Sequence, residues 1–75
     1  MPKTKAPELI RFGENIRQCR EQRAWTQEQL AEKADLDQTF ISGIERGARN
    51  PTIITINKLA RALKITVSEL TEGIG

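Results

Sequence analysis

From Glu8 onward, apolar residues recur as Leu9, Phe12, Ile16 and Cys19. Their spacings of three and four mark one face of a first helix. That helix is expected to end near Arg23, with Ala24 closing it. Thr26 then opens the run T-Q-E-Q, a capping box in which the hydroxyl accepts from the helix start and Gln29 reaches back. The second helix runs to about Ala34. Asp35-Leu36-Asp37 forms a tight turn, and Asp37 is a good N-cap for a third helix from Gln38 to about Arg46. Gly47 supplies the left-handed ending of that helix. Pro51 cannot continue a helix and Thr52 caps the next one. Ile53, Ile56, Leu59, Ala60 and Leu63 then share one stripe of a fourth helix. Thr66 and Glu69 make a second capping box before a short fifth helix holding Val67 and Leu70. No segment alternates with period two over a useful length. The pattern predicts a compact all-α domain of five short helices.

Length and composition narrow the picture. A core built from 75 residues is marginal without idealised helix packing, staples or a partner chain. One cysteine excludes an intrachain disulfide, and one cysteine with no histidine excludes a four-ligand zinc site. Cys19 falls at an apolar helical position and reads as a plain buried thiol; a redox switch has nothing nearby to support it. No apolar run is long enough to span a membrane, and MPKTKAPE lacks the apolar segment of a signal peptide. A cytoplasmic protein is expected. Residues 1 to 7 carry two prolines and two lysines and read as a flexible arm, either a solvated tail or one that touches phosphates. Residues 8 to 75 form the single domain. Without histidine or tyrosine, and with no phosphate loop or paired nucleophile and base, an enzyme is not expected. Neither a cofactor, a metal nor a small-molecule effector is indicated.

The stretch QEQLAEKADLDQTFISGIER, residues 27 to 46, points to function. Leu30, Ala31, Ala34, Leu36, Ile41 and Ile44 give two short helices one shared apolar seam across a tight turn. That is the pattern of a helix-turn-helix at helices two and three, whose second helix can lie in the major groove of double-stranded DNA. The net charge of +2 is mild for such a partner, so the distribution of charge has to carry the argument. With Ile41 at zero on a wheel of about 100° per residue, Ile44 falls on the core side. Thr39, Ser42, Gly43 and Arg46 fall opposite, and Ser42 and Gly43 permit close approach to base edges. Gln38 lies in the first turn and can pair with adenine, while Thr39 can contact a thymine methyl. Gln27, at the start of helix two, can bond a phosphate or reach the first base of a half-site. Arg46, Arg49 and Asn50 can flank the groove and hold the backbone.

Two further expectations follow from the same wheel. Glu45 falls near Ile41, and a carboxylate there needs a partner; Arg20 of the first helix is the candidate. A single helix reads few base pairs, whereas a twofold dimer reads two half-sites about one helical turn apart. A self-complementary patch is therefore required. Ile54 lies off the core stripe, and Ile65, Val67, Leu70 and Ile74 offer more apolar surface than a short fifth helix can hide, so the homodimer interface is expected there.

The run from Gly13 to Leu70 resembles the Xre/Cro-type helix-turn-helix transcriptional regulators. The resemblance is carried most specifically by T-Q-E-Q-L-A (26 to 31), L-D-Q-T-F-I-S-G-I-E-R-G (36 to 47) and R-N-P-T (49 to 52), and looks closest to the controller proteins of restriction–modification systems. It implies a lambda-repressor-like domain that binds DNA as a homodimer and regulates its own promoter. By position, Gln27, Gln38, Thr39 and Gly43 match base-facing sites. Ser42, Arg46 and Asn50 match groove-lining or backbone sites, and Arg20 and Glu45 match a buried ion pair. Controller proteins often carry arginine where this chain has Gln38, so its operator should differ. Ala24 and Asp35 each replace a usual glycine. An adaptor that binds protein, such as an antitoxin subunit, is the alternative function on the same fold; it would call for a longer or disordered tail.

Overall fold

The computed structural model describes residues 6–74. Five helices follow in order: α1 (Pro7–Gln22), α2 (Gln27–Ala34), α3 (Gln38–Glu45), α4 (Ile53–Leu63) and α5 (Val67–Leu70). There is no strand among the described residues. Residues 1–5 of the expected arm lie outside the described residues. Pro7, placed in that arm by its composition, instead occupies the first turn of α1, where its missing N–H costs nothing and its fixed φ suits the helix.

The caps explain the boundaries. Thr26 accepts from the Gln29 N–H at 3.1 Å while the Gln29 side chain accepts from the Thr26 N–H at 2.8 Å. Asp37 accepts from the Thr39 N–H at 3.1 Å at the start of α3, and Thr52 accepts from the Thr55 N–H at 3.2 Å at the start of α4. Thr66 and Glu69 close the same reciprocal box on α5. The hydrogen bonds from Thr66 hold the Glu69 carboxyl below the usual carboxylate range, since they favour its charged form.

A left-handed residue follows each of the five helices, and only two of these, Gly47 and Gly73, are glycine. Gly47 follows α3 at φ 72°, but Ala24 sits at 59°, Asp35 at 57° and Lys64 at 58°. An alanine there carries strain of about 1 kcal/mol that glycine would not. Ala24 is exposed, so a glycine loses no packing. Ala24→Gly is expected to stabilise the protein by roughly 1 kcal/mol, about 4 to 8 °C in melting temperature. A variant that melts lower than the parent by circular dichroism would remove the strain argument.

Phe12 and Ile16 of α1, Leu30, Ala31 and Ala34 of α2, Ile41 and Ile44 of α3, Leu59, Ala60 and Leu63 of α4, and Leu70 of α5 form the core. Three positions depart from the pattern. Ile53 shares the wheel stripe of Leu59 and Leu63 but stands at the first turn of α4 and is 69% exposed. Cys19 is half-buried, not buried. Asn15 is the buried polar side chain of the core; its Nδ2 donates to the carbonyls of Leu70 at 3.0 Å and Glu72 at 2.9 Å. It thereby ties the C-terminal turn to α1, aided by Arg11 Nε donating to Glu72 O at 3.2 Å. Arg23 joins two helix ends in a similar way, donating to Cys19 O at 2.7 Å and Leu63 O at 2.6 Å. No helix among the described residues is long and apolar enough to cross a membrane.

Candidate nucleic-acid interface

α2 and α3 meet along Leu30, Ala31, Ala34, Ile41 and Ile44, all buried. This seam fixes which side of α3 remains for a partner. Gln38, Thr39, Arg46, Arg49 and Asn50 are exposed and Ser42 is half-buried. All six lie on α3 or within five residues of its end, and Asn50 also lines a crevice with Leu9, Phe12, Pro51 and Ile74.

Two residues expected on that surface sit differently. Gly43 is buried: the side chain of Arg49 crosses directly above it. A Cβ at 43 would lie 2.6 Å from Arg49 Cγ and 3.3 Å from Arg49 Nε. The close approach expected at a bare glycine is therefore already occupied by this chain's own arginine. Gln27 is half-buried, and its Nε2 donates to Glu45 Oε1 at 3.0 Å. Its amide group is thus committed inward in the free protein, not extended toward a phosphate or base.

The other partner of Glu45 is Arg20. Arg20 Nε donates to Glu45 Oε2 at 2.7 Å and Nη2 donates to Glu45 Oε1 at 2.9 Å, a two-bond fork. Arg20 Nη1 adds a bond to Trp25 O at 2.8 Å. The side chains retain 12% and 3% of their exposure. The hydrogen bond with Glu45 raises the Arg20 pKa and outweighs the opposing effect of burial, because it stabilises the cation. One node therefore joins α1, the loop at Trp25, the start of α2 and the end of α3. On the outside of that loop, Lys33 lies 4.8 Å from the Trp25 ring centroid.

The expected dimer surface contracts. Leu70 is 0% exposed and belongs to the monomer core, where α5 closes over α4, so it has no surface to offer a partner. Ile65 and Ile74 are half-buried against that core. Ile74 lines a crevice with Leu9, Phe12, Pro51 and Ile56, and Ile65 lines a different one beside Cys19. Ile54 and Val67 do share a depression, of about 320 Å³, and Ile53 joins them there with Asn57, Lys58 and Arg61. Ile53 and Ile54 are 69% and 68% exposed.

Asn15, which ties the C-terminal turn to α1, and Gly13, which lets α1 meet α3, were not singled out from sequence. Asn15 had a visible signal, an amide three residues after Phe12 and next to Ile16. Gly13 had none, since its role depends on the backbone that it meets.

A helix-turn-helix family profile matches residues 16–70. The chain is similar to the control protein C.MunI of a Mycoplasma species, 39% identical over 66 residues, 87% of this chain and 89% of that protein. It is also similar to the control protein C.BamHI of Bacillus amyloliquefaciens, 40% identical over 62 residues, 81% of this chain and 76% of that protein. Among solved structures, the restriction–modification controller protein C.AhdI of Aeromonas hydrophila superimposes with a TM-score of 0.85 at 40% identity, covering 87% of this chain and 98% of that one.

Proposed function

The chain belongs to the helix-turn-helix family, and from that premise we propose that it is a sequence-specific transcriptional regulator that binds a near-palindromic DNA operator as a homodimer. The observation that carries this reading is the side of α3 left outside the core, with Gln38 and Thr39 exposed and Ser42 half-buried, in a fold shared with controller proteins. One related structure is of the controller protein C.Esp1396I as a tetramer on its natural 35 base-pair operator. Gln38 and Thr39 take the base edges, with Ser42 lining the groove. Arg46 and Asn50 hold the phosphates on either side. Gln27 acts through Glu45 in the free protein and turns to DNA only by giving up that bond.

The relatives named above carry control-protein names, which favours DNA over a protein partner and a restriction–modification setting in which the protein governs its own promoter. We read it as a binding protein of the cytoplasm with no catalytic step. Selection from random duplexes at two salt concentrations tests the reading. A palindromic consensus with a steep salt dependence is the expected result, and no enrichment would overturn it.

The twofold contact is assigned to Ile53, Ile54 and Val67. Ile54→Arg should convert the dimer to monomer in sedimentation at micromolar protein, weakening operator affinity while leaving the fold intact. An unchanged sedimentation coefficient would place the interface elsewhere.

A further inference from the structure

We infer that Ile74 is a positioning residue for DNA binding: the C-terminal turn braces the loop between α3 and α4, and through Pro51 it holds Asn50 where it meets the phosphates. The inference rests on the DNA-binding reading above and adds a residue that itself touches no DNA.

α5 is only four residues long, yet its end and the turn that follows are fastened to α1 by three side-chain hydrogen bonds. Asn15 Nδ2 donates to Leu70 O and Glu72 O, and Arg11 Nε donates to Glu72 O. Gly73 has φ 85°, and a Cβ there would lie 2.6 Å from Arg11 Nε. The bare backbone lets the arginine lie across the turn. The Ile74 N–H then donates to Thr71 O at 3.1 Å. Ordering a chain segment costs conformational entropy, and these bonds offset it. What they place is the Ile74 side chain, half-buried and packed against the core.

That side chain lines a crevice of about 170 Å³ with Leu9 and Phe12 of α1, Asn50 and Pro51 of the loop, and Ile56 of α4. The loop has little else to fix it at this point. The last backbone bond out of α3 runs from the Ala48 N–H to Gly43 O at 2.8 Å, and α4 is next capped by Thr52. Residues 49 to 51 lie between. The proline ring fixes its own φ and keeps the residue before it in the extended region. The direction of exposed Asn50 therefore follows the seat of half-buried Pro51. Shortening Ile74 removes one wall of that seat, so Pro51 gains room and Asn50 moves with it. A displaced phosphate contact weakens binding to every sequence and leaves the preference among sequences alone.

The test is operator affinity, by fluorescence anisotropy on the duplex selected above, for the full chain and its Ile74→Ala, Ile74→Leu and Asn50→Ala variants and the double replacement Ile74→Ala with Asn50→Ala. Each is first checked by thermal melting and by sedimentation at micromolar protein. Ile74→Ala should stay folded and dimeric and bind roughly threefold to thirtyfold more weakly, the scale of couplings carried through packed neighbours. Its consensus should not change. Ile74→Leu conserves volume and should recover most of the loss. In the Asn50→Ala background, Ile74→Ala should cost little more, because the two act on one contact. Losses that simply add would make Ile74 a general support of the fold and overturn the inference. Parent affinity for either single alanine variant would overturn it as well. So would a monomeric Ile74→Ala, which would put Ile74 in the twofold contact. If the wild type selects no duplex, the DNA-binding reading itself fails.

Discussion

Gly13→Ala should destabilise the protein by about 3 kcal/mol or more, read as a fall in the midpoint of a urea melt at unchanged slope. Gly13 is buried in the middle of α1, where that helix crosses α3. An added Cβ would overlap Ile44 O and lie 2.7 Å from Glu45 O. Both are backbone atoms of a neighbouring helix, so neither can swing away; the two helices must separate. In an open helix the same change is stabilising by roughly 0.5 to 1 kcal/mol, because alanine has less backbone freedom to lose. The predicted effect therefore has the opposite sign to the intrinsic one. Gly43→Ala is the internal control. Its new methyl meets the flexible stem of exposed Arg49, which can swing toward water, so this variant should not lose stability on the scale of Gly13→Ala. A Gly13→Ala protein as stable as the parent would mean that the crossing of α1 and α3 is looser than these distances allow.

The contrast between these two glycines also shows what could be read from the chain. Helix number, order and ends were legible because they depend on neighbours in sequence. Thr26 with Gln29, Asp37, Thr52, and Thr66 with Glu69 are local caps, and each forms where its spacing predicts. The two faces of α3 were legible for the same reason, since periodicity separates Ile41 and Ile44 from Gln38 and Thr39. What periodicity could not reach depended on distant chain. Gly43 read as a point of close approach, but Arg49 covers it from a loop whose path no periodicity encodes. Gln27 read as a groove contact, but Glu45 holds it from eighteen residues away. Ile53 and Leu70 were misplaced because a helical wheel has no ends: it cannot show that α4 begins outside the packed layer or that α5 is covered by its neighbours. Lys64 had no visible signal for its left-handed geometry at all, whereas Ala24 and Asp35 had one in the glycine that each replaces.

The node at Glu45 gives the other large effect. Arg20→Ala should cost about 3 to 5 kcal/mol, the range for removing one partner of a buried ion pair. A chain of this length holds roughly 4 to 11 kcal/mol in all, so the loss is about a quarter of the total or more. Glu45→Ala should cost less. Removing Arg20 leaves a carboxylate with 3% of its side-chain exposure and only the Gln27 amide bond described above. Removing Glu45 leaves an arginine that keeps its bond to Trp25 O and is long enough to move its head group to water. Equal losses for the two single variants in denaturant melts would contradict this asymmetry. A pH titration does not substitute for the variants. The raised Arg20 pKa means that its contribution is fully present at every pH below the ordinary arginine range and disappears only as pH rises through the still higher folded value. The double replacement Arg20→Met with Glu45→Leu separates stability from function. It buries no unpaired charge, so it should recover most of what Arg20→Ala loses. It also removes the fork that fixes the end of α3 against α1, and Glu45 is the residue immediately before Arg46. The double variant should therefore melt near the parent yet discriminate its operator from random DNA less well. If it keeps full discrimination, packing alone orients α3, and the ion pair is only one of several ways to fill that site.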